Sequence, residues 1–133
     1  MVESSKTPGA RVLIVDDDPV FTAMAEECLS DAGYGIRVAT DGVEALDILE
    51  TDPFDLALID LSMPRIDGFR LIGLIRGAHR WRAMAIVVVS ARHDAHAFDE
   101  AIAMGAVGYQ TKPIDWLKFP EQIENFLQKP ARA

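Results

Sequence analysis

Short apolar runs rich in β-branched residues alternate along this chain with stretches of helical period. The runs fall at residues 11–16 (RVLIVD), 35–39 (GIRVA), 55–60 (DLALID), 84–90 (MAIVVVS) and 107–111 (VGYQT). Several are apolar throughout, the pattern of strands covered on both faces. Between the first two, Phe21, Met24, Cys28 and Leu29 recur at helix spacing, with Asp18 as N-cap, Pro19 at the first helical position and Gly33 as the stop. Asp41 followed by Glu44 has capping-box spacing and leads into Val43, Leu46 and Leu49. Phe69, Ile72 and Ile75 predict a third helix, and Phe98, Ala101 and Ile102 a fourth that Gly105 closes. Ile123, Phe126 and Leu127 predict a fifth, with Pro120 in its first turn, where a helix tolerates the missing N–H.

Five strands alternating with five helices call for right-handed crossovers, and so for a doubly wound α/β fold with helices on both faces of a parallel sheet. No repeat or low-complexity linker interrupts residues 11–128, so one domain is expected there, with a flexible lead at 1–10 and a short tail at 129–133. Ligands of such sheets bind beyond the carboxyl ends of the strands. At those ends stand Asp16, Asp17 and Asp18 after strand one, Asp60 after strand three, Ser90 after strand four and Lys112 with Pro113 after strand five. Carboxylates gathered on one rim repel, and left alone they force a raised pKa on one of them. A hard divalent cation with oxygen ligands offsets that repulsion; Mg²⁺ suits it, since it accepts one or two carboxylates while keeping waters. Lys112 adds a fixed positive charge. Singly, each residue has an ordinary use as turn, cap or surface group, and Asp18 is read as a cap rather than a ligand. Jointly they are specific.

Composition narrows the picture further. Of 133 residues half are apolar and 26% charged, the balance of an ordinary globule, which excludes a disordered tail or a fibre. The net charge of −8 argues against free-standing nucleic-acid binding, which needs Lys and Arg against phosphates. The surplus is uneven: residues 1–67 hold fifteen acidic and four basic side chains, the remainder nine basic and six acidic. Arg70, Arg76, Arg80, Arg82 and Arg92 share a stretch with no carboxylate, read as solvated surface in preference to a partner-docking patch. No apolar run approaches the roughly 20 residues of a membrane span. The polar N-terminus lacks an apolar signal core, so a cytoplasmic location is expected. Cys28, the one cysteine, reads as a small core hydrophobe. His79, His93 and His96 lack metal-ligand spacing. Trp116 is expected to pack at the start of helix five, and Trp81 to cap the apolar edge of helix three. There is no glycine-rich phosphate loop ending in Gly-Lys-Ser/Thr, which removes ATP or GTP hydrolysis.

In the segments VLIVDDDP (12–19), ATDGVEAL (39–46), LIDLSMPRIDG (58–68), VVVSA (87–91) and GAVGYQTKP (105–113), the chain resembles the receiver domain of bacterial two-component response regulators. The match runs in order over residues 11–128. It implies a flavodoxin-like sheet of order 2-1-3-4-5 and a signalling module that takes a phosphoryl group from a phosphohistidine donor onto Asp60. Asp16 and Asp17 would hold Mg²⁺ (Mn²⁺ able to substitute), Asp17 directly and Asp16 partly through water, with Asp60 and the backbone carbonyl of Ser62 completing the protein ligands. Ser90 would hydrogen-bond the phosphoryl group, Lys112 would pair with another of its oxygens, and Tyr109 would be the aromatic switch of a partner-binding face. The peptide before Pro113 would be cis. Small Ala91 would leave room for the group to enter. Ser62 and Arg92 fill the two variable positions that affect phosphate lifetime in the family, and Arg92 is read as pointing to water.

The resemblance further implies a sensor histidine kinase or histidine phosphotransfer protein upstream and an output protein or fused output domain downstream. It implies no direct nucleic-acid or membrane contact and no turnover of external substrates beyond the chain's own phosphorylation and dephosphorylation. Rival functions are weaker. A Mg²⁺-dependent aspartyl phosphatase commonly carries a second Asp two residues after the first, where Ser62 stands. An FMN binder would need a hydroxyl- and glycine-rich loop where three aspartates would repel the phosphate. A receiver-like interaction module that is never phosphorylated is the remaining alternative, although every chemical position is filled. Only five residues follow Gln128, too few for an output domain, which leaves a stand-alone regulator or a receiver cut from a longer chain.

Overall fold

The computed structural model describes residues 9–63 and 65–128. The expected lead and tail lie outside this range apart from Gly9 and Ala10. The elements run β1 (Arg11–Val15), α1 (Pro19–Asp31), β2 (Gly35–Ala39), α2 (Gly42–Thr51), β3 (Leu56–Ile59), α3 (Gly68–Arg76), a single 3-10 turn (His79–Trp81), β4 (Ala85–Ser90), α4 (Ala95–Ala103), β5 (Gly108–Thr111) and α5 (Phe119–Leu127). All strands are parallel in one sheet of order β2-β1-β3-β4-β5, as the sequence implied.

Alternation along the strands divides the interior into two cores. Leu13, Val15, Ala57, Ile59, Ile86 and Val88 face α2, α3 and α4 through Ile48, Leu71, Ile72, Ile75, Ala97 and Ala101. Val12, Ile14, Leu56, Leu58, Val87 and Val89 face α1 and α5 through Phe21, Ala25, Leu29, Phe119 and Ile123. The central strands β1, β3 and β4 are thus apolar on both faces because both faces are covered.

Side-chain caps set where α1 to α4 begin. The Asp18 carboxylate accepts from the Val20 N–H at 3.0 Å, directly before Pro19, and the Asp41 carboxylate accepts from the Glu44 N–H at 2.8 Å. The return arm of that box is displaced by one residue, since Glu44 accepts from the N–H of Thr40 rather than of Asp41. Asp67 and Asp94 cap α3 and α4 in the same way at 2.9 and 3.0 Å. Gly33 and Gly105 follow α1 and α4 with φ of +102° and +115°, the left-handed geometry of a helix stop.

Three expectations change. Phe98 does not join the core: it is 47% exposed, because Ala97 and Ala101 carry the buried stripe of α4 and Phe98 sits about 100° around the helix from Ala97. Met24 is likewise exposed beside the buried stripe of Phe21, Thr22, Ala25 and Leu29. Cys28 is half-buried at the edge of the second core, its thiol donating to the Trp116 carbonyl at 3.6 Å. Trp81 packs partly buried against the first core with the Arg80 guanidinium over its ring. One buried pair had no sequence signal: the Tyr34 hydroxyl donates to the carboxylate of buried Glu124 at 2.7 Å, tying the turn after α1 to α5. Burial, then Glu124, pushes the Tyr34 phenol above its ordinary pKa.

Candidate functional site

The adjacent central strands β1 and β3 deliver the acids. Each ladder runs one hydrogen bond past its strand, Asp16 N–H to the Ala39 carbonyl and Asp60 N–H to the Val15 carbonyl, both at 3.0 Å. That fixes Asp16 and Asp60 side by side at the carboxyl rim. Both are buried, at 2% and 8% exposure, while neighbouring Asp17 faces outward. One carboxylate oxygen from each of Asp16, Asp17 and Asp60 lies within 4.8 Å of the others.

Lys112 comes to this group from the end of the edge strand β5. Its N–H donates to the Ser90 carbonyl at 2.9 Å, and the Lys112–Pro113 peptide is cis. Its ammonium lies 2.7 Å from Asp16 Oδ2 and 3.9 Å from Asp60 Oδ2. Asp16 is held on its other oxygen by the Asp18 N–H at 2.9 Å. The other Asp60 oxygen accepts a long hydrogen bond from the Ser62 N–H at 3.5 Å. Burial first, then the charge of Asp16, pushes the Asp60 carboxyl up to about 6 from 3.8, with Lys112 pulling the other way. A carboxylate left short of compensating positive charge is what a cation or an electrophile can satisfy.

Ser90 and Tyr109 converge elsewhere, on Arg92. Ser90, 1% exposed, accepts the Arg92 N–H on its hydroxyl at 3.1 Å. The Tyr109 hydroxyl donates to the Arg92 carbonyl at 2.7 Å, and its ring lies 5.7 Å from that of Phe98. The Arg92 guanidinium turns from the acids to Asp94 at 3.3 Å, in line with its expected outward orientation.

Two contributors were not singled out from sequence. Gly68 opens α3 so close to the loop after β3 that a Cβ there would stand 2.3 Å from the Asp60 carbonyl oxygen and 2.6 Å from Leu61 Cα. A glycine straight after the capping Asp67 was the available signal. Phe21, read only as a core position of α1, places its ring 4.3 Å from the Lys112 ammonium.

Comparison with known proteins agrees with this arrangement. The family model described as the response regulator receiver domain matches residues 12–130. The response regulator MprA of Mycobacterium tuberculosis is 36% identical over 103 residues, covering 77% of this chain and 44% of MprA, so the chain spans less than half the length of that relative. Among solved structures, the Vibrio cholerae chemotaxis protein CheY4 superposes with a TM-score of 0.84 at 29% identity, over 89% of this chain and 98% of that one. A CheY-like response regulator receiver domain protein from Methanospirillum hungatei gives 0.83 at 27% identity, over 90% and 94%.

Proposed function

The chain belongs to the response regulator receiver domain family, and on that premise we propose that it is a phosphoacceptor signalling module in which Asp60 takes a phosphoryl group from a phosphohistidine donor. One observation carries this: the Asp60 carboxyl is buried within an acid group whose oxygens lie within 4.8 Å, with a lysine ammonium 3.9 Å away. An Asp60 oxygen attacks phosphorus as the donor's P–N bond breaks; the electron pair leaves on the imidazole nitrogen, and an acyl phosphate forms on the chain. Lys112 stands where charge builds on a phosphoryl oxygen, which is the main service a protein gives this reaction.

The donor set suits a hard cation, being oxygen only and drawn from three carboxylates. Asp16, Asp17, Asp60 and the backbone carbonyl of Ser62 would hold Mg²⁺ or Mn²⁺. Bound there, the ion would supply further positive charge to the transferring group. In the phosphorylated chain the Ser90 hydroxyl turns to a phosphoryl oxygen and gives up the Arg92 N–H it now accepts. The Arg92 carbonyl that holds Tyr109 belongs to the same residue, so the change reaches Tyr109 and Phe98 as a shift of population rather than a new fold. A histidine kinase or histidine phosphotransfer protein is the donor, and an output protein or fused output domain reads the altered face.

Incubation with Mg²⁺ and acetyl phosphate, followed by intact mass measurement, tests this. One phosphoryl group should be added, and none with chelator present or in Asp60→Asn. No gain in the parent chain sinks the proposal, and many turnovers on an aryl phosphate would make the chain a hydrolase.

A further inference from the structure

The Lys112 ammonium has a neighbour besides the carboxylates, the ring of Phe21, whose centroid is 4.3 Å from Nζ. A cation over an aromatic face is attracted by the ring quadrupole, most strongly where water is kept out. Water is largely kept out here, since the Lys112 side chain is 20% exposed and Phe21 7%. The ring is itself fixed. Trp116 lies against it with centroids 5.5 Å apart, and Phe119, without exposed surface, meets Trp116 edge-on at 5.5 Å. Three rings thus join α1 to the segment that follows β5, and the ring on α1 faces the lysine.

A lysine is a point charge on a flexible four-carbon stem and holds position only where something restricts it. Asp16 restricts it at 2.7 Å, but that carboxylate belongs to the acid group that would also hold a cation. A neutral ring attracts the ammonium without competing for metal or phosphoryl oxygen. We propose that Phe21 is a positioning residue for phosphoryl transfer at Asp60, its ring holding the Lys112 ammonium beside the acceptor while Trp116 and Phe119 hold the ring. The role rests on Asp60 being the acceptor. Phe21 makes no bond in the step: an Asp60 oxygen bonds to phosphorus as the P–O bond of acetyl phosphate breaks, and the electron pair leaves on acetate. The ring sets where positive charge stands as the phosphoryl oxygens gain charge.

The test replaces Phe21, in the full chain, with phenylalanines bearing one, three and five ring fluorines, which weaken and then invert the quadrupole at nearly constant volume. The rate of phosphorylation by acetyl phosphate with Mg²⁺ should fall stepwise, to about tenfold at five fluorines. Phe21→Tyr should stay within about twofold of the parent, and Phe21→Leu, which presents no quadrupole, should match the three-fluorine ring. The same series at Phe54, whose ring carries the Arg11 guanidinium at 4.8 Å just before β3, at the opposite rim of the sheet, should leave the rate within about twofold. The ε-methylene protons of Lys112 should show a ring-current shift in the parent that Phe21→Leu loses, a readout that needs no transfer. A rate indifferent to fluorination at Phe21, an equal graded loss at Phe54, or a Phe21→Leu chain as fast as the parent overturns the role of Phe21 alone. A parent that gains no phosphoryl mass overturns the acceptor assignment and the role with it.

Discussion

Asp60 carries a cost in the fold. Burial and Asp16 hold its carboxyl near 6 against 3.8 when free, so above pH 6 the folded chain keeps a carboxylate that the unfolded chain ionises more easily. A raised folded value means that the native state binds the extra proton between these two pH values, and stability on this account falls as pH rises through them. Asp60→Asn should therefore stabilise the metal-free fold by about 2 kcal/mol at pH 8, an advantage that fades as pH drops from 6 to 4. Urea denaturation in chelator across that range checks it, and a pH-independent difference would remove Asp60 as the source. Ser90→Ala tests the neighbouring link: it should still gain phosphoryl mass, while the phosphorylation-dependent change in the Tyr109 ring resonances is lost. The same change persisting in Ser90→Ala would sink the switch. The acids were legible in the sequence because strand ends mark the rim in an α/β chain. Phe21 was not, since helical period already accounts for an apolar residue there, and only the folded chain brings Lys112 back over α1.

At the scale of elements, the seating of α3 decides how the loop that carries Asp60 is held. The Gly68 N–H donates to the Leu61 carbonyl at 2.9 Å while its Cα leaves no room for a Cβ beside Asp60 and Leu61. The obstructing atoms are backbone, so an added methyl must displace the loop that carries Asp60. Gly68→Ala should cost about 2–4 kcal/mol in urea denaturation and slow phosphorylation. Gly73→Ala in the same helix is the control, because its Cβ would meet only Met104 Cε at 3.4 Å. There the gain in helix propensity should stabilise by about 0.5–1 kcal/mol. Equal effects at the two sites would mean that close approach to Asp60 is unimportant. Helix starts at Asp18 and Asp41 were legible from cap spacing, and strand cores from continuous apolar runs. The orientation of α4 was not: a stripe carried by Ala97 and Ala101 is a weak apolar signal beside Phe98, which draws the expected face to the wrong side.

Across the whole molecule, charge is sorted by strand order. The acid rim comes from β1 and β3 in the acidic half of the chain, and the lysine from β5 in the basic half. Three of the five arginines of residues 68–93 have partners of their own. Arg76 donates to the Gly105 and Arg82 carbonyls at 3.0 and 3.3 Å, Arg80 pairs with Glu50, and Arg92 pairs with Asp94. The acid rim is different in kind, because its members sit at the ends of two central strands that both cores share. Binding there is binding to the native state as a whole, so a cation held by these acids must raise global stability by mass action. At 100 times its dissociation constant Mg²⁺ should add about 2.7 kcal/mol and raise the Tm. Asp17 faces solvent, so Asp17→Asn should leave metal-free stability within about 0.5 kcal/mol yet abolish most of the Mg²⁺ effect. Thermal melts of both chains with and without Mg²⁺ measure this. A parent whose Tm ignores Mg²⁺, or an Asp17→Asn chain that gains as much as the parent, would separate the acid group from any metal role and leave its crowding unexplained.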